Sequence, residues 1–382
     1  MTTWHIVTSE YPPDVGGVSD YTRQIAEALV HDGEEVHVWC PPSQESREAS
    51  RVHVHSEAGR FRWFDLRRLA DCLDAYPSPR RLLVQWVPHG FGYRSMNLWF
   101  CLWLARRAAR GDRIELMVHE PFIELKRGPL RHVAVALVHR VMTMVLMGSV
   151  RRVWVSIPAW EPLLRPYAFG RTVRIDWLPV PACVTALRDA DSLARETYVS
   201  GAQPLIGHFG SYGREVSTLL MNALPAMMDS SAHPSLLLIG ARSQAFRDTL
   251  IAQHPAWSTR VHATGYVASA DLTRYLEVCD LFLQPYPDGI TSRRTSAMAC
   301  LAMGRPIVST TGRLSEPLWE TSGAVKLAAV SEPQGLVSAA LQLMADPDER
   351  KRLGRAGLRL YRDRFTLAGV AATLRAASSE AM

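Results

Sequence analysis

The chain is almost without lysine. Of its 43 basic residues only Lys126, Lys326 and Lys351 are lysines, and arginine supplies the rest. Codon composition alone can produce such a bias, so it carries no functional weight. Cysteine is sparse and scattered, at positions 40, 72, 101, 183, 279 and 300. There is no CxxC pair and no Cys/His spacing of the kind that holds zinc. These cysteines suit buried small hydrophobes in a reducing compartment. The N-terminus has no basic stretch followed by an apolar one, so no signal peptide is expected. The most apolar helical segment, Val133 to Val150, is interrupted by His139 and Arg140, which favours a core helix over a membrane span. No repeat at solenoid spacing and no low-complexity tract is visible.

What is present is a globular composition. The 382 residues are 47% hydrophobic with a formal net charge of +6. That length exceeds one ordinary core, so two domains are expected. The positive charge permits anionic ligands, such as nucleotides or an anionic membrane, without demanding them.

Short β-rich runs alternate with helical patterns. In the first half the strand candidates are 4–9, 36–40, 52–55, 82–87, 114–119, 153–156 and 173–177. In the first helix Val18, Tyr21, Ile25, Ala28 and Leu29 share a face, and Gly33 follows as a stop. The rhythm breaks near 180–203 and restarts with 205–209, 236–239, 261–264, 281–284 and 306–310. From Asp346 the pattern is helical. The fold class is therefore α/β, as two doubly wound parallel domains over residues 1–185 and 200–362. Ligands of such sheets bind beyond the carboxyl ends of the strands, so chemistry is sought at strand-to-helix turns.

Four turns stand out. In EYPPDVGGVSDY, Gly16 and Gly17 permit positive φ and close backbone approach, and the helix that follows offers N–H groups to an anion. A tight loop with no ligand explains the pair equally well. The stretch is not GxGxxG, which weakens a dinucleotide reading. In ELMVHEP, His119 leaves a strand toward a ligand cleft, where it can donate a hydrogen bond to a sugar hydroxyl or accept a proton. A strand-end histidine satisfied by backbone is the alternative, and Glu120 suits helix capping or an arginine partner. In HFGSYGR, Gly210 and Ser211 repeat the small-residue turn and Arg214 adds a cation for phosphate. In QPYPDGITSRRTS, Asp288-Gly289 makes a turn and Thr291 or Ser292 caps a helix. Arg293 and Arg294 then fall in the first helical turn, where the dipole disfavours cations, which favours an anion held there.

Several segments together resemble the retaining glycosyltransferases of GT-B fold, the family 4-like group 1 enzymes. They are HIVTSEYPPDVGGVSDYTRQIAEALVHDGEEVHVWCP, RRVWVSIPAWEPLL, PYPDGITSRRTSAMACLAMGRPIVSTTG and RFTLAGVAATLRA, which span nearly the whole chain. The resemblance implies two Rossmann-like domains facing across a cleft, with a closing helix at about 366–382 returning to the first domain. It implies a nucleoside-diphosphate-sugar donor on the second domain, with Gly16 and Gly17 approaching the diphosphate or sugar and His119 contacting the donor sugar. It places Gly210, Ser211, Arg214, Thr291, Ser292, Arg293 and Arg294 around the donor phosphates, and Asp20, Glu120, Asp288 and Gly289 as sugar or acceptor contacts. It implies no cofactor and no metal, with front-face attack in place of a carboxylate nucleophile.

The chain departs from that pattern where the family carries two glutamates eight positions apart. Here Thr291 and Ala299 stand there. Ser211 occupies a position that is usually arginine, with Arg214 as a substitute, and Glu316 is a candidate for ribose contact. The expected function is a cytoplasmic, metal-independent retaining hexosyltransferase acting on a small-molecule, saccharide or lipid-linked acceptor, with no nucleic-acid partner. The alternatives are a degenerate scaffold that binds without turnover, a phosphorylase on the same fold and, least favoured, a dehydrogenase. The segments GRFRWFDLRRLA and HGFGYRSMNLWFCLWLARRAARGDR mix aromatics with arginines. They suit amphipathic helices around the sheet, the favoured reading, or contact with an anionic membrane.

Overall fold

The computed structural model describes residues 3–14, 16–43, 50–92, 95–125, 129–182, 184, 193–199 and 201–379. The expected linker near 180–203 therefore lies partly outside the described residues. The chain divides into two units, 1–180 with 367–382, and 181–366.

Unit 1 holds seven strands: β1 (Thr3–Val7), β2 (Glu35–Trp39), β3 (His53–His55), β4 (Arg81–Trp86), β5 (Arg113–Val118), β6 (Arg152–Val155) and β7 (Arg174–Trp177). They form one sheet in the order β3-β2-β1-β4-β5-β6-β7, with every pairing parallel. Parallel strands need crossovers. These include helices α1 (Gly17–His31), α2 (Trp63–Asp74), α3 (Leu98–Ala109), α4 (Leu130–Ser149) and the short α5 (Glu161–Leu164). The strands are continuous apolar runs because both sheet faces are covered. All six residues of β4 are buried.

Unit 2 repeats the plan with β8 (Leu205–Phe209), β9 (Ser235–Ile239), β10 (Val261–Ala263), β11 (Leu281–Gln284), β12 (Ile307–Thr311) and β13 (Lys326–Ala329), ordered β10-β9-β8-β11-β12-β13. Its helices are α6 (Arg214–Met228), α7 (Ser243–Gln253), α8 (Ser269–Val278), α9 (Thr295–Ala302), α10 (Leu318–Thr321), α11 (Pro333–Ala345) and α12 (Pro347–Arg364), while α13 (Leu367–Ser379) belongs to unit 1. The order of each sheet reverses once, between β1 and β4 and between β8 and β11. Beyond the carboxyl ends of those strands a doubly wound sheet opens a crevice.

Helix α13 joins the core of unit 1 through Val370, Ala371, Leu374 and Ala377, packed with Ile25, Leu29 and Val36. Arg375 pairs with Asp32, just after α1, at 2.8 Å, and Arg81 Nη2 donates to the Leu374 carbonyl at 3.2 Å. Arg81 also pairs with Glu115 at 2.7 Å and lies over the Trp4 ring at 3.7 Å. Its buried charge is thus compensated on several sides.

Two expectations change here. The buried face of α1 is Ser19, Tyr21, Thr22, Ile25, Ala26 and Leu29, which leaves Val18 and Ala28 at its margin. Helix α4 is not a wholly buried core helix. It buries Ala136, His139, Met142, Thr143, Leu146 and Met147, while Leu130, Leu137, Val141 and Met144 form an outward apolar stripe. By length and composition alone α4 could cross a membrane, and a third of it is buried.

Candidate active site

In unit 1 the first crevice is edged by the loop after β1. Gly16 is the N-cap of α1, with φ −174° and ψ 152°, an extended conformation open to any residue. Neither Gly16 nor Gly17 has positive φ, which corrects the expected reason for the pair. Gly16 is required by crowding, since a Cβ there would run into the Glu10 carboxylate, whereas a Cβ on Gly17 meets nothing within 4 Å. Glu10 Oε1 accepts from Val18 N–H at 3.1 Å and Ser19 N–H at 3.0 Å. The helix end read as open to a ligand anion thus already holds a carboxylate from the protein itself. The Asp20 side chain, one position on, has no hydrogen-bond partner among the described residues, and partial burial raises its pKa against the opposing effect of Arg23.

His119 directly follows β5. Its Nε2 lies 2.9 Å from Gln85 Oε1, which makes Nε2 the protonated nitrogen in this amide orientation. Its ring meets Tyr21 edge-on at 5.0 Å. Its carbonyl accepts from Ser156 Oγ and Trp160 Nε1. The half-buried imidazole is thus held by β4, α1 and the turn after β6. Glu120, expected to cap a helix or to meet an arginine, is met by a histidine. It pairs with His89 at 3.1 Å, and this carboxylate raises the His89 pKa.

In unit 2 the β8–α6 turn carries Gly210, Ser211, Tyr212 and Gly213. Tyr212 takes φ +54° with its hydroxyl on the carbonyls of His208 and Ile239. This anchor turns Ser211 outward. Arg214 is the first residue of α6, exposed, with no ion pair among the described residues. No side chain caps this helix end. Beneath it His208 is buried, its Nδ1 donating to the Leu283 carbonyl at 2.7 Å, and burial lowers its pKa to about 4. Its Nε2 has no partner and lies under Gly210. Gln284 Nε2 donates to the Phe209 carbonyl at 3.0 Å and ties the two strands at the crevice.

The β11–α9 loop differs from expectation. Helix α9 begins at Thr295 and has no side-chain cap, so Arg293 and Arg294 precede its first turn and neither Thr291 nor Ser292 caps it. The Thr291-to-Arg294 backbone closes its own turn, with Arg294 N–H on the Thr291 carbonyl at 3.0 Å. Arg294 lies over the Tyr286 ring at 4.7 Å. Thr291 is fully buried and its hydroxyl lacks a partner among the described residues. Ser292 gives both its N–H and its hydroxyl to Glu316 Oε1, and Trp319 Nε1 donates to Glu316 Oε2 at 2.6 Å. Glu316 is 5% exposed. Its carboxylate is consumed inside unit 2, which corrects the reading that holds it ready for a ribose. Asp288 accepts from Arg313 Nε at 2.9 Å, and Gly289, at φ +85°, packs against Gly312 and Ser315, where no Cβ fits.

Sequence reading did not single out Glu10, Gln85 or His208. Their strand-end positions were the available signal. Asp-x-Asp occurs twice, at 189–191, outside the described residues, and at 346–348, where Asp346 Oδ1 caps α12 through Asp348 N–H and Glu349 N–H. The described residues hold no cluster of three or more potential metal ligands. A concavity of about 610 Å³ in unit 2 lies at the opposite sheet edge, against Asp280 and Arg305 before β11 and β12.

Residues 203–346 match the model of the family described as "Glycosyl transferases group 1". No curated protein matches the sequence. Among solved structures, the chain is similar to sucrose-phosphate synthase from Thermosynechococcus elongatus, with TM-score 0.72, 16% identity and coverage of 100% of this chain and 99% of that one. It is similar to α,α-trehalose 6-phosphate synthase from Burkholderia multivorans, with TM-score 0.69, 14% identity and coverage of 100% and 98%. It is also similar to Anabaena HepE in complex with UDP, with TM-score 0.67, 13% identity and full coverage of both chains. Residues 203–346 thus carry a domain of the glycosyl transferases group 1 family, and the chain as a whole shares the fold of these GT-B structures.

Proposed function

We propose that the chain is a retaining, metal-independent glycosyltransferase that moves a hexose-type sugar from a nucleoside diphosphate to a small-molecule, saccharide or lipid-linked acceptor. The observation that carries the reading is the β8–α6 turn. There an exposed Arg214 and an uncapped 15-residue helix meet within the group 1 segment. Diphosphate oxygens suit such N–H groups and a bidentate guanidinium. The UDP complex of HepE supports uridine as the first nucleotide to test.

In this reading His119 accepts a hydrogen bond from a donor-sugar hydroxyl at Nδ1, its ring aimed by Gln85 and Tyr21. The bond from the anomeric carbon to the phosphate oxygen breaks as the acceptor oxygen attacks from the same face. The departing phosphate takes the acceptor proton. No carboxylate nucleophile is required, while Thr291 and Ala299 at the family's glutamate positions speak for the alternative, a degenerate scaffold that binds without turnover. The reading includes a cytoplasmic location and peripheral membrane contact through the outward stripe of α4.

The test is calorimetric titration with UDP, GDP, ADP, TDP and CDP in the absence of metal. One preferred nucleotide, weakened about tenfold or more by Arg214→Ala, is expected. Absence of binding to all five would favour the degenerate scaffold.

A further inference from the structure

Unit 1 carries a concavity of about 440 Å³ that none of the roles above uses. Arg60, Arg62, Trp63, Gly90, Gly92 and Trp99 line most of it, and no carboxylate does. Trp63 is 56% exposed and Trp99 63% exposed. They open α2 and α3, and their rings meet edge to face at 6.0 Å and 71°. Apolar indole surface left in water is unfavourable relative to burial, so the pair calls for an occupant.

The walls are rigid. Phe61, at φ +55°, packs on Phe91 at 4.9 Å, and Phe91 stacks on Phe100 at 4.5 Å. Asn97 fastens both sides, accepting from Phe100 N–H at 2.9 Å and donating to the Phe61 carbonyl at 3.0 Å. Gly90 and Gly92 let the loop pack closely on Ser9 and Asn97, since a Cβ on either would run into one of them. A site held this firmly loses little entropy when a ligand enters.

The charge is one-sided. The side chains of Arg60 and Arg62 form no ion pair among the described residues. Asp65, close in sequence, instead receives their backbone N–H groups at 3.0 and 3.1 Å. The volume falls within the range of small-ligand sites, about 300–1,000 Å³. A pyranose presents an apolar C–H face that suits the electron-rich face of an indole. Two unpaired guanidiniums suit a carboxylate or phosphate.

Resting on the glycosyltransferase reading, we propose that this concavity is a subsite for an anionic sugar of the acceptor. Trp63 and Trp99 hold the ring, and Arg60 and Arg62 hold its acidic group. A concave site favours a sugar over a flat membrane surface.

The test uses the full chain and three probes, glucose 6-phosphate, glucuronic acid and glucose, followed by tryptophan fluorescence and ligand-observed NMR. Both anions should saturate, with glucose about tenfold weaker or worse. Trp63→Ala with Trp99→Ala should weaken both anions about tenfold. Arg60→Ala with Arg62→Ala should bring them down to the level of glucose. The stronger of the two anions identifies phosphate or carboxylate as the natural group. UDP affinity should stay unchanged in every variant. Equal binding of glucose and the anions, no binding of any probe, or full binding in the tryptophan variant would overturn the proposal. So would phosphatidylcholine–phosphatidylglycerol vesicles that bind wild type but not the tryptophan variant, with no sugar effect. Sugar binding without UDP binding would refute the nucleotide reading alone, and UDP binding without sugar binding would refute the subsite alone.

Discussion

The Glu10 carboxylate lies 3.0 Å from the Ser19 amide nitrogen, nine residues along the chain, and it fills the N-terminus of α1. Gly16 and Gly17 therefore have different duties. Glu10→Ala should lower stability by about 1 kcal/mol, the usual effect of losing a helix cap. Gly16→Ala should cost a similar amount, because its Cβ displaces that carboxylate. Gly17→Val should leave the fold intact, since its surroundings are open, but abolish transfer. Urea midpoints and turnover together check the contrast; near-normal transfer in Gly17→Val would count against ligand approach at this glycine.

Glu316 accepts three hydrogen bonds inside unit 2. Glu316→Ala strands a buried N–H, a hydroxyl and an indole N–H, and should destabilise by about 3 kcal/mol. Glu316→Gln, which keeps acceptor capacity at one atom, should lose less. Denaturation of the two variants measures this, and a loss of nucleotide affinity without loss of stability would instead restore the ribose role.

Gly289 combines a left-handed φ of +85° with the backbone of Gly312 against it. Gly289→Ala is expected to cost about 2–4 kcal/mol from strain and overlap together. The Asp288–Arg313 pairing should loosen with it. Thermal melting reports the first effect and limited proteolysis near 288–315 the second.

Acid should destabilise unit 1 through a histidine cluster on β1, β2 and β3. His37 Nδ1 lies 2.9 Å from His55 Nε2, and the His5 and His53 rings stack on His37 at 5.4 and 4.9 Å. Burial, followed by the neighbouring histidines, lowers His5 to about 3; burial also lowers His37 and His55. Each of these groups binds its proton less readily when folded. The unfolded chain therefore takes up more protons below about pH 6.5, and stability falls with pH from there. A histidine held near 3 contributes up to about 2 kcal/mol of that loss by pH 5. His89, raised by Glu120, works in the opposite sense. Urea midpoints at pH 7.5, 6 and 5 measure the slope, which His5→Gln should flatten.

The strands were legible because each is a local apolar run. The expected segments 205–209 and 281–284 coincide with β8 and β11. The strand β13 was not expected, since all four of its residues are only half-buried and carry little hydrophobic signal. The candidate site was legible in part. His119 and Arg214 were found because strand ends and helix starts can be located from periodicity. Arg293 and Arg294 were assigned to a helical turn that begins two positions later, an error in the range expected at helix boundaries.

Local pattern alone determined the alternation of strand and helix, the two α/β units and the turns where chemistry is sought. Periodicity of 2 or 3.6 residues is a property of short segments, so no folded partner is needed to read it. Tertiary structure alone decided which acids remain open to a ligand. Glu316 is spent on Ser292, 24 positions away, and Glu10 on the start of α1. It also gathered His5, His37, His53 and His55 by laying β1, β2 and β3 side by side, and it brought Trp63 to Trp99 across two helices. Those encounters depend on strand pairing and packing between residues distant in sequence, which composition and spacing do not encode.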